Sequence, residues 1–483
     1  MVRHNVSEGH PADSTSSSRF SSRFLRADLV AGLTAAAVVV PKAMAYATIA
    51  GLPVQTGLYT AFVPMVVYAV LGTSRPLSVS TTTTIAILTA AQLSQLAPGG
   101  SPVDLILASA TLAALVGVLL MLAAALRLGF VANFISEPVL VGFKSGIGLV
   151  IVADQIPKLL GVHIEKAGFF RDLLAIVQQL PATSVATLLL ALTMLALIFF
   201  LERFLPRAPA PLVAIGLAIT ASALFNLNQA GVAVIGAVAG GPPTLVRPQL
   251  DLFWSIWPAA VGIALMSFTE SIAAARAFSA PGEPHLVPNR ELLAVGAANI
   301  AGGLFGAMPA GGGTTQTAVN RKAGARTQAA GLVTAAASLG TLLVLAPIIG
   351  LMPQAALAAV VVAYSLDLIK PAEFLEIRRV RRIEFRWAVI AAVGVVLLGT
   401  LQGILVAVIA SLLALAQQAY NPPVYVIGRK PGTGVFRPRS DEHPDDDSWP
   451  GLLIVRVEGR AFFLNAQRIG DKIWQAIESE KPD

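Results

Sequence analysis

Three stretches of this chain, residues 208–246, 327–366 and 387–428, contain no charged side chain. About 20 apolar residues in a helix cross the hydrocarbon core of a bilayer, and only a helix or a closed barrel satisfies its own backbone there. The second and third stretches are each long enough for two such helices. Each carries breakers near its centre, from Pro347 to Pro353 and from Gly399 to Gly403, and so reads as a membrane hairpin with a short turn. Charge is scarce throughout: 13% of residues are charged and 55% hydrophobic, where a soluble domain carries about 25% charged. This balance excludes a soluble enzyme, a disordered chain and a disulfide scaffold. It points to an all-α polytopic membrane protein.

The remaining spans fall at about 28–50, 57–72, 103–126, 134–157, 182–204, 209–226, 254–278 and 290–307. Segments 79–94 and 313–323 are too short and too polar to cross alone. With the four hairpin helices the total is about fourteen, and an even number leaves both termini on one side. Lys and Arg concentrate in cytoplasmic loops. The loops on the side of the termini carry Arg75, Arg127, Arg203, Arg207, Arg276, Arg290, Arg321, Lys322, Arg326 and the run from Arg378 to Arg382. The opposite side has Lys158, Lys166, Arg171 and Arg247. Both termini are therefore expected in the cytoplasm, in a multi-pass protein of the inner (plasma) membrane. The net charge of +7 is largely this bias and requires no nucleic-acid partner.

Residues 1–27 are polar and Ser-rich and read as a disordered cytoplasmic start, with no apolar core of a signal peptide before the first span. Residues 29–423 hold 35 charged side chains, whereas the 60 residues 424–483 hold 19. The change near Tyr420-Asn421-Pro422-Pro423 divides a transmembrane domain, 28–421, from a water-facing tail, 422–483. Cysteine is absent, so no disulfide, thiolate zinc site or thiol nucleophile is built. The five histidines are scattered and suggest no metal site, and no cofactor is expected. No phosphate-binding Gly-x-x-x-x-Gly-Lys-Ser/Thr loop is present, so uphill transport would draw on an ion gradient.

Two short polar segments carry the chemistry. One runs from Leu77 to Leu88 and includes Ser80, Thr81, Thr82, Thr83 and Thr84; the other runs from Pro309 to Asn320 and includes Gly311, Gly312, Gly313, Thr314, Thr315 and Gln316. Each sets Thr-rich sequence at the start of a short helix, at similar places in the two halves of the membrane body. That pattern marks an inverted-repeat transporter whose broken helices meet at the midplane. A half-helix starting inside the membrane exposes unpaired N–H groups and a partial positive charge. Two such ends facing each other form an anion site, to which Thr hydroxyls add donors and Gly allows close backbone approach. The competing reading is packing alone, since small residues let membrane helices approach.

Ionisable residues inside spans are costly and face a partner or a wet cavity. Lys42 follows Pro41 in the first span and shares a helix face with Tyr46, four residues on. Glu270 is the candidate to exchange a coupling proton, because burial disfavours the charged form of a carboxyl; pairing with Lys42 is its alternative role. Lys144 reads as a residue that snorkels or pairs with Glu137, and Asp154 as interfacial.

The run Asp28-Leu29-Val30-Ala31-Gly32, then Pro41 to Ala47, Gly57-Leu58-Tyr59 and Gly72-Thr73-Ser74-Arg75 resembles the opening signature of the SulP (sulfate permease) anion transporters. So do Glu137-Pro138 with Gly142-Phe143, Asn299-Ile300, and Ala318-Val319-Asn320 followed by Ala323 to Thr327. The resemblance implies fourteen segments as two inverted repeats of seven, with half-helices at segments 3 and 10. It also implies a core domain moving against a gate domain, and a homodimer in the lipid membrane. It maps the substrate pocket to Lys42, Tyr46, Thr81, Thr82, Gly313, Thr314, Thr315 and Gln316, and an acidic eighth-segment position to Glu270. Many members have Gly-Pro in place of Ser80-Thr81, Gln in place of Lys42 and Arg in place of Gln316. Lys42 is therefore expected to supply the cation that Gln316 does not.

The tail resembles the start of a STAS domain, the cytoplasmic α/β module of the same family, through Gly428-Arg429, Pro450 to Arg456 and Phe462 to Ala466. The alternation Leu453, Val455, Val457 reads as a strand, and residues 467–480 as an amphipathic helix. The module is expected to be incomplete at Asp483, and the run Asp445-Asp446-Asp447 to be a solvated loop. The expected function is secondary active transport of a small anion (sulfate, bicarbonate or a dicarboxylate), by alternating access and coupled to protons or sodium. An anion channel, or a nucleobase permease-like transporter, is the alternative.

Overall fold

The structure, a computed structural model, describes residues 24–96, 100–133, 136–164, 168–206, 208–280, 283 and 285–481. The expected polar start up to residue 23, and the orienting residues Lys166 and Arg207, lie outside the described residues. The chain separates into two compact units, residues 1–407 and 408–483.

In the first unit the helices are α1 (Leu25–Ile49), α2 (Val54–Leu71), α3 (Thr83–Leu96), α4 (Pro102–Ala125), α5 (Glu137–Leu160), α6 (Phe169–Gln179), α7 (Val185–Phe204), α8 (Ala210–Phe225), α9 (Phe253–Ala277), α10 (Pro288–Leu304), α11 (Thr314–Lys322), α12 (Ala329–Ile349), α13 (Gln354–Leu366), α14 (Pro371–Val380) and α15 (Arg382–Leu398). The unit boundary falls within α16 (Thr400–Tyr420), and α17 (Ala466–Glu480) follows in the second unit. Eight helical stretches among the described residues are long and apolar enough to cross a membrane. Setting aside the short α6 and α14 and the tail helix α17, fourteen helices remain, in two sets of seven: α1–α5, α7 and α8, then α9–α13, α15 and α16.

The contacts between the sets show an inverted repeat. The packing of α10 on α4 is matched by α2 on α12, that of α9 on α4 by α1 on α12, and that of α15 on α5 by α7 on α13. In each case helix n of one set is exchanged for helix n of the other. The third helices meet through a pair of two-residue strands, β1 (Val79–Ser80) and β2 (Gly311–Gly312). They run antiparallel, with Val79 opposite Gly312 and Ser80 opposite Gly311. Within the expected segment 79–94 the first two residues are extended, and α3 starts at Thr83. The ladder satisfies backbone groups that would otherwise lie open inside the membrane.

Local sequence explains the ends. Ser101 and Asp104 form a reciprocal capping box at the start of α4, with Pro102 in the first turn, where no N–H is needed. Gly399 separates α15 from α16 with a φ of 92°, a conformation glycine adopts without strain. Two glycines of the motif runs set helix spacing. A Cβ at Gly57 would lie 1.9 Å from the Ala43 carbonyl oxygen of α1, and one at Gly142 would lie 1.9 Å from that of Ala388 in α15.

Two buried carboxylates, Asp28 of the first motif run and Glu291, which the sequence reading did not single out, fix the loops beside the half-helices. Asp28 accepts from the backbone N–H groups of Arg326 (2.7 Å) and Thr327 (3.1 Å) and from the Thr327 hydroxyl. Glu291 accepts from the Tyr68 hydroxyl and the Thr73 N–H, each at 2.7 Å, and from the Thr73 hydroxyl. Both residues are fully buried, and donors to each carboxylate offset the cost of burying its charge.

In the second unit β3 (Val424–Arg429) lies between β4 (Phe436–Pro438) and β5 (Val455–Val457), antiparallel to both. Helix α17 packs on β3, and Lys472 donates to the Pro422 carbonyl at 2.8 Å. The acidic run is not merely solvated. Asp446 takes two hydrogen bonds from Arg437, at 2.7 and 2.8 Å, and Asp447 pairs with Arg429 at 3.0 Å. The Arg437 hydrogen bonds hold the Asp446 carboxyl below the usual carboxylate range.

Candidate functional site

All nine residues singled out in the sequence line one cavity of about 590 Å3: Lys42, Tyr46, Thr81, Thr82, Glu270, Gly313, Thr314, Thr315 and Gln316. The N-termini of α3 and α11 open onto it. In α11 the N–H groups of Thr314, Thr315 and Gln316 precede the first turn's carbonyls and have no partner within the helix. The side chains of Thr314 and Thr315 are exposed in the cavity. In α3 the Thr82 hydroxyl caps the Ile85 N–H at 3.3 Å, while Thr83 donates to the Tyr46 hydroxyl at 2.9 Å. Thr81 is buried, and its hydroxyl has no hydrogen-bond partner among the described residues.

Gln316 lines the cavity and makes two hydrogen bonds within the protein. Its amide donates to the Ser78 carbonyl and accepts from the Ser80 hydroxyl, both at 3.0 Å. Gly313 N–H also donates to the Ser78 carbonyl, at 3.1 Å. Gln316 thus ties one half-helix to the strand that precedes the other. Gln316→Ala leaves a buried hydroxyl and a carbonyl short of partners, and should destabilise the protein by about 1–3 kcal/mol. A lowered melting temperature of the detergent-solubilised variant checks this.

Thr82 also has partners within the protein. Its hydroxyl donates to Glu270 Oε2 at 2.8 Å, and Thr84 donates to Oε1 at 2.9 Å. Thr82 lines the cavity, with its hydroxyl directed to Glu270. The ion pair of Glu270 is with Lys144, whose Nζ lies 3.7 Å from Oε1. This replaces both the alternative pairing with Lys42 and the reading of Lys144 as a partner of Glu137. Lys42 is buried, and its ammonium lies 3.6 Å from the centroid of the Tyr364 ring. A cation over an aromatic face is held by the ring quadrupole.

Sequence reasoning missed Tyr364, Asp367, Lys370 and Glu373, which follow one another along the end of α13 and the start of α14 and also line the cavity. Their signal was the return of charge after the uncharged run 327–366. At the cavity's edge Lys370 and Glu373 neutralise each other at 2.8 Å. Lys42 and Lys144 remain as its inner cations. Among the described residues, no group of three or more His, Cys, Asp or Glu is placed to hold a metal ion.

Known proteins place this architecture. A model of the sulfate permease family matches residues 25–392. A probable sulfate transporter of Mycobacterium tuberculosis is 38% identical over 451 residues, covering 93% of this chain and 80% of that protein. The chloroplastic sulfate transporter 4.1 of Arabidopsis thaliana is 33% identical over 465 residues, covering 94% of this chain and 67% of that protein. The murine Solute Carrier 26 family member A9 anion transporter, in its inward-facing state, shares the fold with a TM-score of 0.82 at 23% identity, over 96% of this chain and 79% of that one. The transmembrane domain of a cyanobacterial bicarbonate transporter, BicA, superposes with a TM-score of 0.72 at 25% identity, over 82% of this chain and 99% of that one. On the family match and the identity to the mycobacterial protein, this chain belongs to the sulfate permease family, and is a multi-pass integral membrane protein.

Proposed function

We propose that this chain is a secondary active anion transporter that carries a small inorganic anion or carboxylate through the cavity by alternating access. The observation that carries this reading is the convergence of two half-helix N-termini and the Lys42 ammonium on one space. Such a space attracts an anion through partial charges, N–H donors and one full charge together. The relatives named for sulfate and for bicarbonate support the substrate class.

Helices α1–α4 with α9–α12 form the moving core in this reading, and α5, α7, α8, α13, α15 and α16 the gate. Two contacts then cross from core to gate: Lys42 with Tyr364, and Glu270 with Lys144. Glu270 is the coupling group, exchanging a proton or holding a sodium ion. Both termini lie in the cytoplasm, the assembly is a homodimer in the inner (plasma) membrane, and residues 422–483 belong to a STAS domain.

Uptake of labelled sulfate into liposomes holding the purified protein tests this. Bicarbonate, chloride, a dicarboxylate and uracil serve as competitors, with and without inward proton and sodium gradients. Saturable uptake, inhibited by anions and raised by one gradient, is expected. Inhibition by uracil instead would favour a nucleobase permease, and single-channel currents an anion channel.

A further inference from the structure

We infer that Lys144 is a second substrate-binding cation, masked by Glu270 in the empty site, so that a proton on Glu270 and a divalent anion on Lys42 and Lys144 bind together. The inference rests on the cavity being an anion site and assigns the charge class of its ligand.

The two members of the pair are held unequally. Glu270 is 6% exposed and fixed by two threonine hydroxyls, whereas Lys144 is 27% exposed and reaches in from the facing helix α5. A threonine hydroxyl donates to a carboxylate and accepts from a carboxylic acid, so Thr82 and Thr84 satisfy Glu270 in either protonation state. An ammonium donates only. When Glu270 takes up a proton its negative charge is gone, the hydroxyls turn to suit, and Lys144 is left with its charge and a flexible four-carbon stem facing the cavity.

The other titratable groups facing this pair do not cancel that change. They are Glu137 from α5, Lys42 and Tyr46 from α1, and Tyr364, Asp367, Lys370 and Glu373 from α13 and the start of α14. Helices α3 and α11 present uncharged Thr, Gly and Gln side chains to the cavity. On the remaining neighbours of α9, Asp104 is engaged in its cap and Glu291 with Tyr68 and Thr73. Uptake of one proton therefore changes the inner cations from one, Lys42, to two. A divalent anion then meets two ammonium groups, while a monovalent anion needs Lys42 alone. Linkage makes the effect reciprocal: the divalent anion draws Lys144 away and so favours the proton on Glu270.

Calorimetric binding of sulfate and of nitrate to the purified full-length protein at about pH 5.5 and about pH 8 tests this, since affinity and proton uptake are linked. Both anions keep their charge across that range. Sulfate should bind the wild type about 5- to 150-fold more tightly at the acidic pH, the usual range for coupled sites, and should tighten more than nitrate does. Lys144→Gln should lose the acid tightening, and Lys144→Arg should keep it. Glu270→Gln should bind sulfate tightly at both pH values. Wild-type acid tightening in Lys144→Gln, or nitrate binding with sulfate affinity indifferent to pH in the wild type, overturns the inference and leaves the anion site standing. Binding of neither anion at either pH overturns both.

Discussion

Lys42→Gln should weaken the apparent affinity for the transported anion by roughly 10- to 150-fold, the equivalent of the 1.5–3 kcal/mol of one hydrogen bond to a charged group. Lys42 is the inner cation whose partner is an aromatic face rather than a carboxylate. Its loss leaves the half-helix N-termini to attract the anion without a full charge. The double variant Lys42→Gln with Gln316→Arg should recover part of the loss, because the guanidinium returns a cation to the start of α11. Its recovery is incomplete, since Gln316→Arg removes the acceptor of the Ser80 hydroxyl. Initial uptake rates across anion concentrations in liposomes check both variants. Unchanged affinity in Lys42→Gln would make the ammonium a structural partner of Tyr364 and nothing more.

Glu270→Gln should abolish accumulation driven by an inward proton gradient, while exchange of anion for anion continues. For one proton per anion, each pH unit of gradient supports about tenfold accumulation, or 1.36 kcal/mol, and the variant should show none of it. The amide is isosteric and keeps partners in Thr82 and Thr84, because a hydroxyl serves as donor to its oxygen and acceptor from its nitrogen. Folding is therefore expected to survive, as checked by an unchanged elution profile in detergent. Proton-driven accumulation retained in this variant would remove Glu270 from the coupling step.

Much of this architecture was legible because the membrane restricts what a backbone does. The uncharged runs 327–366 and 387–428 are long enough for helical hairpins, and their turns at Pro347 to Pro353 and at Gly399 fell where breakers stand, whereas in 208–246 only Ala210–Phe225 is helical. The nine candidate residues meet in one cavity because two Thr- and Gly-rich segments at matching places in a repeat must face each other. What lay hidden was partner choice. Lys144 stands far from Glu270 in the chain, and hydropathy does not say which of Glu137, Glu270 or lipid headgroups an intramembrane lysine meets. The antiparallel pairing of Val79-Ser80 with Gly311-Gly312 was hidden for the same reason: two residues carry no periodicity. Gln316 looked like a neutral substitute for a cation, and only its distances to Ser78 and Ser80 show it as a tie between half-helices. Helices α6 and α14 were missed because their charged faces read as loops.

The central claim, that the transported anion sits between the two half-helix N-termini, is tested most directly by protecting that site from a reagent. The chain has no cysteine of its own, so Thr315→Cys places a single thiol on the exposed first turn of α11, inside the cavity. Its rate of reaction with a small maleimide is measured with increasing concentrations of the anion that liposome uptake identifies. The rate should fall to a small fraction of its starting value, with half-protection at the concentration that half-saturates uptake by the same variant. A labelling rate indifferent to a saturating concentration of that anion would contradict the account.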